Sequence, residues 1–178
     1  YVNIDLTPAI KQDSTYSQKL LSYLKKGALM LFDLGYLSNS FLSGIIKKEA
    51  YFLCRYRYSI PPLYILNEIT KQFEKLDVAS FLKKHSKEPF EIEVFIKDPD
   101  TFEFKAIRMI FFPLPQQQAS LKRMKAKKRS KHAGQTPNKK SLALCDWVIF
   151  LTNVSEDVLD AKAVALIYRI RWQIELTF

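Results

Sequence analysis

Tyr168, Arg171 and Glu175 lie three and four residues apart in the stretch from Ala163 to Phe178. On a helix that spacing puts a phenol, a guanidinium and a carboxylate on one face. The surrounding residues are mostly apolar, and a carboxylate on such a helix needs a cation, a donor or a metal beside it. Far upstream, Asp33 closes the apolar run that starts at Ala28. A strand-end aspartate with a helix-borne glutamate is what a divalent-metal phosphoryl-transfer site requires. Hard cations such as Mg2+ or Mn2+ take one or two carboxylates and leave positions for phosphate oxygens.

Each of these residues also has a plainer reading. An aspartate after a strand commonly bonds the backbone of a turn. Glu175 and Arg171 could be a routine surface pair of little energetic worth, and Tyr168 a half-buried core tyrosine. Trp147, 28 residues before Glu175, sits in an apolar run and reads from the sequence alone as a core indole; a base-stacking role for it comes only from the resemblance given below. Trp172 reads as core. Arg55 and Arg57 share one face of an alternating segment, which is either solvated or turned to a phosphate backbone.

The elements that must hold these residues follow from periodicity. Tyr1 to Leu6 alternates as a strand. Ser14 or Thr15 is suited to cap a helix over 16–26 with Leu20, Leu21 and Leu24 inward and Gly27 at its end. A buried strand then closes at Asp33, Gly35 turns the chain, and Ser38 or Asn39 opens a helix with Phe41, Leu42, Ile45 and Ile46 as its apolar stripe. Tyr51 to Tyr58 alternates as a strand. Pro61 and Pro62 interrupt the pattern. A short helix is predicted over 77–84, then two strands, 90–97 and 101–112, joined through Asp98, Pro99 and Asp100. The segment 121–140 carries nine Lys or Arg and no acid. Within it Lys122, Arg123, Lys125, Lys127, Lys128, Arg129 and Lys131 read as a flexible solvated arm able to order on a polyanion. A strand over 142–151 follows, and Ser155 is expected to open the terminal helix, with Glu156 and Asp157 in its first turn. Alternating helices and strands make an α/β layer.

Composition narrows the partner. The 178 residues carry a net charge of +10, which favours nucleic acid over an anionic membrane. No apolar run approaches a membrane span. Cys54 and Cys145 lie in apolar, strand-like runs and read as reduced core thiols. With His85 and His132 they form no zinc spacing. The first residues show no signal peptide, which implies a cytoplasmic protein. The absence of an initiator methionine and the stop inside a helix imply a piece of a longer one.

Three blocks in order carry a resemblance: 29–38 with Asp33, Gly35 and Tyr36; 141–153 with Trp147, Thr152 and Asn153; and Tyr168, Arg171 and Glu175. Together they resemble the DDE transposases of the bacterial insertion-sequence-four family, in the C-terminal part of the catalytic domain. The resemblance implies a partial RNase H-like core interrupted by a β-rich insertion. Its implied divisions are 1–58 (first part of the core), 59–140 (insertion with the basic arm) and 141–178 (last strand and helix). It makes Asp33 and Glu175 the second and third catalytic acids and Mg2+ or Mn2+ ligands. It makes Tyr168 and Arg171 the phosphate contacts, with Trp147, Arg55, Arg57, Lys122, Arg123, Lys127, Lys128 and Arg129 on double-stranded DNA. It further implies a homodimer on paired DNA ends, acting at the bacterial nucleoid. The family's first aspartate has no counterpart, since Asp5 and Asp13 fall in the wrong segments. The 178 residues alone are therefore expected to be inactive. A DNA-binding remnant and an RNase H-like nuclease without strand transfer remain the alternatives.

Overall fold

The computed structural model describes residues 16–58, 61–85 and 87–175, with the backbone alone at positions 18 and 171–175. The predicted first strand, Ser14, Thr15, Asp5 and Asp13 lie outside the described residues.

Among the described residues, seven strands form one mixed sheet in the order β1-β2-β7-β6-β5-β3-β4. They are β1 (Leu29–Leu31), β2 (Tyr51–Arg55), β3 (Tyr64–Leu66), β4 (Phe73–Lys75), β5 (Phe90–Lys97), β6 (Phe104–Pro113) and β7 (Trp147–Thr152). Among the described strands only β1 and β2 run parallel; a crossover helix, α2 (Asn39–Lys47), makes that possible. The remaining pairs are antiparallel. The chain leaves β2, builds β3 to β6 farther out, and returns with β7 directly beside β2.

The two faces bury different cores. On one, α1 (Ser17–Tyr23), α2 and α3 (Val78–Leu82) cover the larger core. Leu21, Phe41 and Ile45 meet Phe52, Cys54, Ile96, Met109 and Leu151 there. Gly44 lets α1 and α2 approach: a methyl added at its α-carbon would meet Leu21 Cδ1 at 2.5 Å. On the other face, α6 (Ala161–Glu175) lays Val164 and Tyr168 over Leu53, Ile110 and Phe150. Their i, i+4 spacing is the stripe a half-buried helix needs.

Several predicted elements are present with local chemistry that explains their ends. Ser38 Oγ accepts the Phe41 N–H at 3.2 Å and so caps α2. Asp77 Oδ1 accepts the Ser80 N–H at 3.4 Å and opens α3. Strand β5 spans the predicted residues. Others require correction. The segment 121–140 is not a flexible arm over most of its length: Gln116–His132 forms α4, a helix of 17 residues. Lys, Arg, Gln and Ala all favour helix; without an apolar stripe, periodicity had nothing to register. The strand predicted over 142–151 begins only at Trp147. Before it come α5 (Lys139–Ala143), capped by Asn138 Oδ1 on the Lys140 N–H at 2.9 Å, and a 3₁₀ turn over Leu144–Asp146. Cys145 is therefore a turn residue. The terminal helix opens at Ala161 rather than after Ser155, because Asp160 Oδ1 accepts the Ala163 N–H at 2.7 Å. Strands β3 and β4 were not anticipated. Their turn is made by Asn67, whose Oδ1 accepts the N–H groups of Ile69 and Thr70 at 2.9 and 3.1 Å.

Candidate nucleic-acid interface beside Asp33

Asp33 lies just past the carboxyl end of β1 and is exposed. Ends of this kind are where open α/β sheets gather functional groups. Its Oδ1 accepts the Leu34 N–H at 2.6 Å, capping the 3₁₀ turn Leu34–Tyr36. The turn and ligand readings of Asp33 are thus compatible, because a carboxylate has acceptor capacity beyond one N–H. Among the described residues, no three His, Cys, Asp or Glu side chains come together as a metal cluster.

A cavity of about 570 Å³ opens next to this turn, with Leu34 in its wall. Arg55, Arg57, Lys122 and Arg129 all line it, and among the described residues no acid does. Four separate pieces of the described chain converge to make it: the turn at Leu34, the run 55–58, the helix of Lys122 and Arg129, and the run 141–149. Arg55 ends β2, opposite Phe150 of β7. Arg57 follows after Tyr56, whose N–H bonds the Ile149 carbonyl at 2.8 Å. Lys122 and Arg129 come from α4, seven residues apart and hence on one helix face. Lys122 Nζ donates to the Trp147 carbonyl at 2.6 Å. Burial, and then the neighbouring charge of Arg55, hold the Lys122 ammonium below its ordinary pKa. A cation under that stress gains when an anion enters.

The other predicted contacts sort by position. Arg123 is engaged with Asp146, which Lys87 also approaches at 3.7 Å, so it fastens α4 to the turn before β7. Lys127 and Lys128 are exposed on α4. Trp147 is 4% exposed, edge-on to Phe90 and Phe111 with ring centroids 5.7 and 6.2 Å away. Of its two readings this geometry supports the core role, with the residue contributing to the cavity wall. Tyr168 is 3% exposed and packs on Phe150 at 5.1 Å, so it too is a core residue in this conformation. The backbone is helical through Arg171 and Glu175, as their spacing requires; their side chains, and that of Trp172, lie outside the described ones.

Two groups had no predicted role. Thr152 Oγ1 donates to the Phe52 carbonyl at 2.6 Å and accepts the Val154 N–H at 3.1 Å. Asn153 Oδ1 accepts the Phe52 N–H at 2.8 Å while its Nδ2 donates to the Ala50 carbonyl at 2.9 Å. The pair continues the β2–β7 ladder with side chains, which is why Thr ends the strand and Asn follows it. Arg108 of β6 grips Glu91 through Nη2 at 2.6 Å, and its Nη1 donates to the Val154 and Leu159 carbonyls at 2.9 and 2.8 Å. It thereby fixes the loop that launches α6. Nothing in the sequence spacing marks Arg108, since its partners are 17 to 51 residues away.

The family model described as "Transposase DDE domain" matches residues 1–178. The chain is 26% identical over its whole length to the transposase for insertion sequence element IS231B of Bacillus thuringiensis subsp. berliner. It is 28% identical, again over its whole length, to that for IS1151 of Clostridium perfringens. A shorter match, covering 40% of the chain at 34% identity, joins it to the putative transposase InsL for IS186A of Escherichia coli. The chain spans 39% of the first of these relatives and 40% of the second.

Proposed function

We propose, because this chain belongs to the transposase DDE domain family, that it is the part of a DNA transposase that carries two of the catalytic acids. The observation behind this reading is the cavity beside Asp33, whose described lining holds four cations and no acid. Phosphodiester chemistry needs carboxylates for metal and cations for phosphate side by side, and chain segments far apart in sequence supply both here.

In this reading Asp33 and Glu175 hold Mg2+ or Mn2+ with an aspartate from elsewhere in the parent protein. An exposed strand-end carboxylate suits a hard cation, and such cations tolerate few protein ligands. When bound, the metal supplies nucleophile activation and stabilisation of the leaving oxygen. The protein's own task is positioning. Arg55, Arg57, Lys122 and Arg129 draw in the double-stranded DNA of the element ends through phosphates. Lys127 and Lys128 extend the contact, and Arg171 can fork a phosphate next to Glu175. Tyr168, seated on Phe150, sets the rotation of α6 on which Arg171 and Glu175 ride. The sheet supports an RNase H-like core, since β7 returns to β2 around an inserted β3–β6 segment. Two copies would pair on two DNA ends. No described helix is long and apolar enough to cross a membrane, and the working location is taken as the bacterial cytoplasm.

The test is the full-length protein on labelled duplexes carrying the element's ends, with Mg2+, beside Asp33→Asn and Glu175→Gln. Nicking and joining lost in both variants at unchanged binding is the expected result. Binding without cleavage by the unaltered protein indicates a remnant, and cleavage without joining indicates a plain nuclease.

A further inference from the structure

Among the described residues, no helix covers toward β3 and β4 the face of the sheet that α6 covers at β2, β7 and β6. Strand register decides what stands there. Tyr64 is opposite Phe95 and Lys75, and Lys97 is opposite Phe104, so these side chains share that face. Phe73 joins them, stacked on Phe104 at 3.8 Å with 14° between the rings. Tyr64 meets Phe104 edge-on at 5.1 Å, and Phe95 meets Phe73 at 4.9 Å. The cluster is open to solvent: Phe73 is 36% exposed and Phe102, at the tip of the β5–β6 hairpin, 66%.

Phe102 is the anomaly. Its φ is +61°, a left-handed conformation that favours Gly or Asn and penalises a bulky side chain. The turn itself is well made without it. Asp98 Oδ1 accepts the Asp100 N–H at 2.9 Å, and the Phe102 N–H bonds the Asp98 carbonyl at 2.9 Å. The phenyl ring takes no part in these backbone bonds, and Asn would suit the left-handed backbone better. Backbone strain of this kind points to a binding use.

The charges near it select the occupant. Lys97 Nζ lies 5.2 Å from the Phe102 ring centroid and 5.8 Å from that of Phe104, and Lys75 stands on the same face. The acids at the hairpin tip are engaged, Asp100 with Lys47 at 3.2 Å and Glu103 with Lys105 at 3.6 Å; Glu93, on the same face, is set back toward Arg108. Rings interleaved with ammonium groups fit a ligand that alternates flat faces and anions. A second copy laid here about a two-fold axis would oppose its own lysines.

We propose that this face binds single-stranded DNA, its unpaired bases stacking on Phe102 and the Phe73–Phe104 pair and its phosphates on Lys97 and Lys75. Duplex bases hide their faces, so the preference is for unpaired strands. This site is at the far edge of the sheet from Asp33 and rests on the transposase reading only for the choice of DNA.

The test uses the full-length protein and a fluorescein-labelled oligothymidylate of about 15 nucleotides, read by fluorescence anisotropy. Phe102→Asn suits the left-handed backbone, so its melting temperature should hold or rise. Its single-strand affinity should fall about tenfold, with Phe73→Leu and Lys97→Met falling in the same direction. Duplex affinity and end cleavage should not change, which keeps this outcome separate from failure at Asp33. Unchanged single-strand affinity in the folded variants overturns the proposal. Loss of self-association at unchanged single-strand affinity also overturns it and makes the face an interface between copies.

Discussion

Trp147 shows how a residue's surroundings decide among its possible uses. An indole in an apolar run can stack on a base or fill a core, and the sequence holds both options. The neighbours Phe90 and Phe111 come from strands that periodicity does identify, but their closeness to Trp147 arises from the sheet order, which it does not. The burial of Trp147 predicts that Trp147→Ala destabilises the protein by about 3–5 kcal/mol in urea denaturation, as large aromatic truncations in a core do. A residue serving only as a stacking platform would lose DNA affinity at unchanged stability. Asp33 was more legible, because a carboxylate that ends an apolar run has few uses and its turn bond excludes neither.

Elements were legible wherever an apolar period or a capping residue marked them. Helix α2 and strand β5 carry such marks. Helix α4 does not, because Lys and Arg fill its whole circumference, and β3 and β4 are too short to display alternation. What fastens the unmarked pieces is side-chain chemistry between distant segments. Lys140 of α5 bonds Asp77 at the start of α3 at 2.6 Å. That bond leads the effects that hold the Asp77 carboxyl down at about 2, below its ordinary value of 3.8. A depressed carboxylate contributes stability above its unfolded pKa and loses it as pH falls through the folded one. The contribution should therefore be present above about pH 4 and fade toward pH 2. It should be small, since both groups are partly solvated. Melting curves of the unaltered protein and Asp77→Asn should converge over that window. The clamp at Arg108 is worth more. Arg108→Met should cost about 2 kcal/mol, and Arg108→Lys should not restore it, because one ammonium cannot serve Glu91 and two carbonyls in a fork.

At the scale of the whole molecule, a net charge of +10 is concentrated where it can act. The cavity beside Asp33 collects cations from β2, its following loop and α4, so duplex affinity should fall steeply with salt. Replacing Arg57 or Arg129 with Ala should weaken binding to all sequences alike. Each should also lower the slope of log K against log salt by about one. An unchanged slope would place the duplex elsewhere. Convergence of this kind was hidden from the sequence, which offered the arginines of β2 and the basic run as separate features. Only the return of β7 beside β2, with α4 held to the turn before it by Arg123 and Asp146, makes them one surface.

Asp33 is proposed to hold a catalytic metal next to that surface. Metal-switch rescue tests it most directly, using full-length Asp33→Cys on duplex element ends. A thiolate is a poor ligand for Mg2+ and a better one for softer ions. The account predicts unchanged duplex binding, no cleavage in Mg2+, and cleavage restored in Mn2+ or Cd2+, with Asp33→Ala silent in all three. Cleavage by Asp33→Ala in Mg2+ at the unaltered protein's rate would contradict it.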